Sequence, residues 1–291
     1  MALSFGGSGF SAQKSISHMS QTKSKMDKSL LRISSGNRLQ NAGDDPGGLA
    51  VSMRLQNEIS VLGAAKDRVA NSKSYVEAQS TALQSVADIV SEMQTAKTNY
   101  DATTNASEKA AYESQFQDLR GQLASLKGET INGQPLFNRG NNLSVSTSTD
   151  GSSGSVTLTD IDLAAAFQYT DGDGDSADLA DLNDTITLDD TDGNLDVSLS
   201  NLSDIHDTVS GLAAEVAGDE STLGFASDYL ENMSTNLEAA HGRIVDVDLA
   251  EESANYAKLS MQYEAAAAAV AQANVAMGAV LDLLLSSVNR D

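Results

Sequence analysis

Three histidines are the first residues to weigh for chemistry, because imidazole is the side chain that titrates near neutrality and serves most often as a general base. His18, His206 and His241 stand far apart in the chain, and none falls in a His-Glu-x-x-His arrangement. Neither a Gly-x-Ser-x-Gly elbow nor a P-loop is present, and His241, before Gly242-Arg243, reads as a surface or interface residue. With no cysteine, disulfides and thiolate metal sites are excluded. Two acidic stretches remain. Asp44-Asp45-Pro46-Gly47-Gly48 has the glycine pair of a phosphate cradle, but no Lys-Ser/Thr follows and two carboxylates repel phosphate, so it reads as a connector. Asp171-Gly-Asp-Gly-Asp-Ser-Ala-Asp178 begins like a calcium loop, yet Ser176 stands at the glycine position and Leu182 where the closing bidentate Glu belongs. It reads as a solvated acidic loop. No catalytic residue, cofactor or metal site is expected, and the chain is not expected to be an enzyme.

Charge narrows the partners further. The net charge is −23, and from Gly140 to Gly242 there are 21 acids and no Lys or Arg. Nucleic-acid binding needs clustered cations, so that class is set aside in favour of a hydrated, self-repelling outer region. The N-terminus has neither a basic n-region nor an apolar h-region, so no secretory signal peptide of the usual kind is expected. The longest uncharged run, Ala265 to Leu281, is mostly alanine and too weakly apolar for membrane insertion.

What the chain does offer is helices with heptad seams. Over Ser253–Ser287, Tyr256, Leu259, Tyr263, Ala266, Val270, Ala273, Met277, Val280 and Leu284 recur every three or four residues. At the other end Ala12, Ile16, Met19, Lys23, Met26, Leu30 and Ile33 do the same, broken only by Lys23. Residues 1–35 are basic and residues 243–291 acidic on balance, so the two ends are expected to pair. A very long helix follows from Leu49 to about Tyr100; some fifty residues extend roughly 75 Å. Asn105 with Glu108 signals the start of another, ended by Gly128 and the Asn132-Gly-Gln-Pro135 turn.

The period then changes to two. Leu143–Thr147 and Val156–Asp160 predict a β-hairpin, and Thr185–Asp189 with Leu195–Leu199 a second. Helix resumes near Asp204, with one seam to Val216 and another after Gly218. The fold class is therefore mainly α with a small β part: a long antiparallel helical bundle or coiled coil formed by both chain ends, with β-hairpins in the middle.

Two motifs then carry a resemblance. Leu31-Arg-Ile-Ser-Ser-Gly-Asn-Arg-Leu-Gln-Asn-Ala-Gly-Asp-Asp-Pro-Gly-Gly-Leu-Ala-Val51 resembles the N-terminal signature of bacterial flagellins. Ala240-His-Gly-Arg-Ile-Val-Asp-Val-Asp-Leu-Ala-Glu251, Val270-Ala-Gln-Ala-Asn274 and Leu281-Asp-Leu-Leu284 resemble the C-terminal one. The resemblance covers roughly 1–165 and 205–287. It implies an inner domain of 1–42 plus 250–291, a rod domain of 43–166 plus 203–249, and a short acidic variable outer insertion at 167–202. Assembly and terminal-helix packing would rest on Ile16, Met19, Met26, Leu30, Ile33, Arg38, Asp44, Asp45, Arg243, Ile244, Val270, Gln272, Asn274, Met277, Val280 and Leu284.

The resemblance also implies partners and place. Those are other copies of the chain in a helical homopolymer, hook-associated and cap proteins, an export chaperone and the flagellar type III export apparatus. The implied location is the extracellular flagellum, reached without a cleaved Sec signal, and the implied role is motility; the alternative is a hook–filament junction protein. Two departures stand out. Family members usually have proline where this chain has Met277, and Ser91-Glu-Met-Gln-Thr-Ala96 lacks the Arg and Leu of the run that an innate immune receptor reads in relatives, so receptor activation is not expected. Independently of family, ordering backbone costs about 1–2 kcal/mol per residue, and an alanine-rich seam offers little apolar area against that. The terminal pair is expected to be completed by contacts from other subunits.

Overall fold

A computed structural model describes residues 6–148, 154–171, 174–189 and 195–288, with the backbone alone at 6–12, 277 and 280–288. The long helices are α1 (Gly6–Ser35), α2 (Pro46–Ala102), α3 (Ala106–Lys127), α5 (Leu199–Val245) and α6 (Leu249–Val288); α4 (Leu163–Ala166) is a single turn. The eight short strands are β1 (Thr130–Ile131), β2 (Gln134–Pro135), β3 (Leu143–Ser146), β4 (Ser155–Leu158), β5 (Gln168–Thr170), β6 (Ser176–Asp178), β7 (Ile186–Thr187) and β8 (Leu195–Asp196). They form two-stranded ladders. Two compact units result, one from the described residues of Met1–Asn57 and Leu237–Asp291, the other from Glu58–Asn236.

Helix ends follow from local chemistry. Gly36 takes φ +74° and its amide donates to the Arg32 carbonyl at 2.9 Å, closing α1 in the left-handed conformation glycine permits. Asp45 caps α2: its Oδ1 accepts from the Gly48 amide at 2.9 Å, with Pro46 at the first helical position. A Cβ on Gly48 would collide with Asp45 Oδ2, so the second glycine of the pair makes room for the cap. Asn105 caps α3, taking the Ser107 amide at 3.0 Å while Glu108 reaches back to its side chain.

The second unit has a conventional interior. Leu62, Val69, Val76, Leu83, Val86, Val90 and Met93 of α2 are buried, as are Phe116 and Leu123 of α3 and Leu202, Val209, Leu223 and Leu230 of α5. Helix α5 runs unbroken through Gly218 for 47 residues, because nothing crowds that glycine and the helix is otherwise continuous in its buried stripe. Antiparallel β3 and β4 pair Val145 with Val156, the hairpin predicted; its tip, 149–153, lies outside the described residues. The second predicted hairpin does not form. Strands β7 and β8 pair in parallel, Ile186 with Leu195. The backbone groups of Leu188 that a return strand would need are taken elsewhere: its amide donates to Glu113 at 2.9 Å and its carbonyl accepts from Lys97 at 3.0 Å. The expected turn at 190–193 lies outside the described residues.

Segment 167–202 lies inside this unit. Phe167, Leu179, Leu188 and Val197 are fully buried. Arg120 of α3, itself 3% exposed, donates to the carbonyls of Leu179, Asp181 and Asp184 at 3.1, 2.7 and 3.2 Å. Asp171 Oδ1 accepts from the Asp175 amide at 2.8 Å. Burial pushes the Tyr169 phenol far above its ordinary range.

Candidate assembly site

The two signature motifs meet in the first unit. The chain after α1 lies antiparallel to the three-residue link between α5 and α6, bridging Asn37 to Asp246. The Arg38 amide donates to the Val245 carbonyl at 2.6 Å, the Val247 amide to Gly36 at 3.0 Å, and the Arg38 guanidinium to the Ile244 carbonyl at 2.7 Å. Asp248 caps α6, its Oδ1 accepting from Ala250 and Glu251 at 2.9 and 3.1 Å. A Cβ on Gly242 would come within 2.7 Å of Asp246 Oδ2, so this glycine lets α5 turn into the link. The result is a main-chain clasp that fixes the register of the two terminal helices.

Lys28 ties the connector back onto α1 by an ion pair with Asp44, whose side chain is only 5% exposed. That hydrogen bond from the ammonium holds the Asp44 carboxyl below its ordinary range. On the facing helix Glu252, 8% exposed, accepts from Ser29 Oγ through its carbonyl at 3.3 Å and pairs with Arg32 at 3.9 Å.

Beyond the clasp, α1 and α6 pair antiparallel, with Cα atoms of the two coming within 8 Å. Among the described side chains of α6, Tyr256, Leu259, Tyr263, Ala266, Val270 and Ala273 are half-buried at the heptad spacing of the sequence, with Ser260 beside them. On α1 Ser15, Met19, Thr22, Met26, Arg32 and Ile33 are half-buried and Ser29 is buried. The predicted α1 seam is therefore corrected by one residue at every other step. Met19, Met26 and Ile33 face α6, while Ile16 and Leu30 are 40% and 51% exposed. The physical reason is size: Ser15, Thr22, Ser29 and Gly36 recur every seven residues, and at Ser29 the short side chain brings its Oγ within 3.3 Å of the Glu252 carbonyl, against the α6 backbone.

Other expected residues fall as follows. Ile244, Asp44 and Asp45 are half-buried in the clasp and connector; Arg38, Arg243, Gln272 and Asn274 are exposed. The side chains of Met277, Val280 and Leu284 lie outside the described ones. Gly36, Ser29, Gly242, Asp248 and Glu252 belong to the site without having been singled out; the seven-residue recurrence of small residues would have found Ser29 and Gly36.

Clasp and paired termini define a structural protein whose two ends are one element. Residues 9–142 match the N-terminal helical region of bacterial flagellin and residues 199–284 its C-terminal helical region. The chain is 28% identical to a flagellin of Halalkalibacterium halodurans over 88% of its length and 91% of the relative's. It is 26% identical to the flagellar filament 33 kDa core protein of Treponema phagedenis, covering 91% and 94% of the two chains. With a flagellin of Bacillus subtilis it shares 25% identity, covering 94% and 97%. The chain belongs to the bacterial flagellin family. It is a structural subunit of the flagellar filament.

Proposed function

We propose that the first unit is an inner domain completed only by neighbouring copies in the filament, and that this completion drives polymerisation. One observation carries the reading: among the described residues, every buried apolar side chain belongs to 58–236, while Ile16, Leu30 and Leu31 on α1 and Met261 and Val275 on α6 are 40% to 68% exposed. Apolar area of that kind on both helices is stabilised by removal from water. In this reading 1–42 with 250–291 form the inner domain, 43–166 with 203–249 the rod, and 167–202 a short outer segment. The clasp sets the register of the helices, so that Gln272 and Asn274 and the exposed stripe of α1 meet adjacent subunits. Export as an unfolded chain through the flagellar apparatus, with a chaperone holding the apolar ends, supplies subunits to a growing extracellular filament that joins hook-associated and cap proteins at its two ends. The polymer serves swimming motility, and no part of the chain acts as an enzyme. Cysteine-free composition, which leaves no disulfide to form before export, supports that route.

Hydrogen exchange on monomer and on seeded polymer tests the proposal. Amides of 255–276 are expected to exchange rapidly in monomer and to be protected in polymer. Equal strong protection in both states would show that a single copy already completes the pair.

A further inference from the structure

A groove of about 400 Å³ runs between α1 and α6, lined by Lys25, Lys28, Arg32 and Lys258 around Glu252 and Leu259. Four cations gather there in a chain of net charge −23. The local acids are already engaged, Asp44 by Lys28 and Glu252 by Arg32. Among the described residues no acid lies within ion-pair reach of Lys25 or Lys258, and Arg32 Nε is buried without a hydrogen-bond partner. The groove therefore presents unmatched positive charge beside an apolar side chain.

A surface of the opposite kind lies on α5. Phe225 and Tyr229 are 73% and 60% exposed, and with Asp228, also exposed, they occupy one helical face at i, i+4 and i+3. This face falls within the stretch that contains no Lys or Arg. It offers two aromatic rings and a carboxylate, and nothing cationic of its own nearby in sequence.

We propose that the groove of one copy takes the Phe225–Asp228–Tyr229 face of a second copy, an inference that rests on the filament reading. A lysine ammonium is attracted both to a carboxylate and to an aromatic face, and lysine stems with Leu259 cover the ring edges. Subunits of net charge −23 repel one another, and a contact that sets opposite signs together offsets that repulsion while selecting orientation.

Seeded polymerisation of the full chain is the test, read as critical concentration at about 0.15 M and about 1 M NaCl. Lys25→Glu with Lys258→Glu is expected to raise it about tenfold at the lower salt, Asp228→Lys several-fold, and the three together to recover most of the loss. High salt should shrink every difference. Both lysines are exposed, so circular dichroism of the monomers should be unchanged, and Lys25→Gln with Lys258→Gln should give a smaller shift of the same sign. Strictly additive defects, or groove variants that polymerise like the unaltered chain, would overturn the contact and leave the filament reading standing. An unaltered chain that never polymerises from seeds would remove the filament reading itself.

Discussion

Helices of the second unit and helices of the first bury different kinds of residue. In α2 and α3, Leu83, Val86, Val90, Met93, Phe116 and Leu123 are sealed from solvent. In the first unit the described residues that are buried are Ser29, Ser52 and Glu252, all polar, and the described large apolar side chains of α1 and α6 are at most half-buried. The second arrangement stabilises a fold within one chain, since each sealed side chain contributes about 1.5–3 kcal/mol. The first holds register through hydrogen bonds whose net worth in water is about 0.5–1.5 kcal/mol each. That division is what the proposed function calls for: a body folded before assembly, and ends completed among copies.

Substitution in the sealed core should show the largest effect and is the direct way to break this comparison. Phe116→Ala is expected to destabilise monomer by about 3–5 kcal/mol in denaturant unfolding. Met26→Ala, on the seam of the first unit, should cost below about 1 kcal/mol in the same experiment, since its side chain is only half-buried. Equal losses would mean that the first unit has an interior of its own.

The contrast also explains what could be read from sequence. Leu62, Val69, Val76 and Leu83 announced themselves because large apolar residues at seven-residue spacing are what a sealed core requires. The same rule misplaced the inner face of α1. It ranked Ile16 and Leu30 above Ser15, Thr22 and Ser29, although a short side chain is what lets Ser29 reach the α6 main chain at Glu252. The motif at 240–251 was legible as a motif, but its pairing with 36–38 was not, because main-chain hydrogen bonds leave no side-chain signature beyond Gly36 and Gly242. The parallel pairing of β7 and β8 was hidden for a related reason: Glu113 and Lys97, more than seventy residues earlier, occupy the bonds of Leu188.

A smaller effect sharpens the first-unit side of the comparison through pH. Asp44 is held below its ordinary 3.8 by Lys28, so its contribution is fully present above the unfolded value and is lost as pH falls through the folded one. Asp44→Asn should therefore weaken protection of the Arg38 and Val247 amides in polymer at pH 5 to 7. Below the folded pKa, variant and unaltered chain should converge. A difference that persists unchanged at low pH would mean that Asp44 acts by packing and not by charge.

Leu30→Ala should have the smallest effect of all on the monomer and for that reason tests the division most sharply. Leu30 is 51% exposed at the edge of the α1 stripe that faces α6, so its removal should move monomer stability by no more than about 0.5 kcal/mol. In polymer the same side chain is expected to be sealed by an adjacent copy, where loss of about 2–3 kcal/mol per subunit raises the critical concentration by more than tenfold. Two measurements on one variant thus separate the roles. A destabilised monomer with an unchanged critical concentration would assign Leu30 to the fold of the single chain, and with it the stripe from Ile16 onward. An unchanged monomer that polymerises poorly would assign that stripe to the contacts between copies.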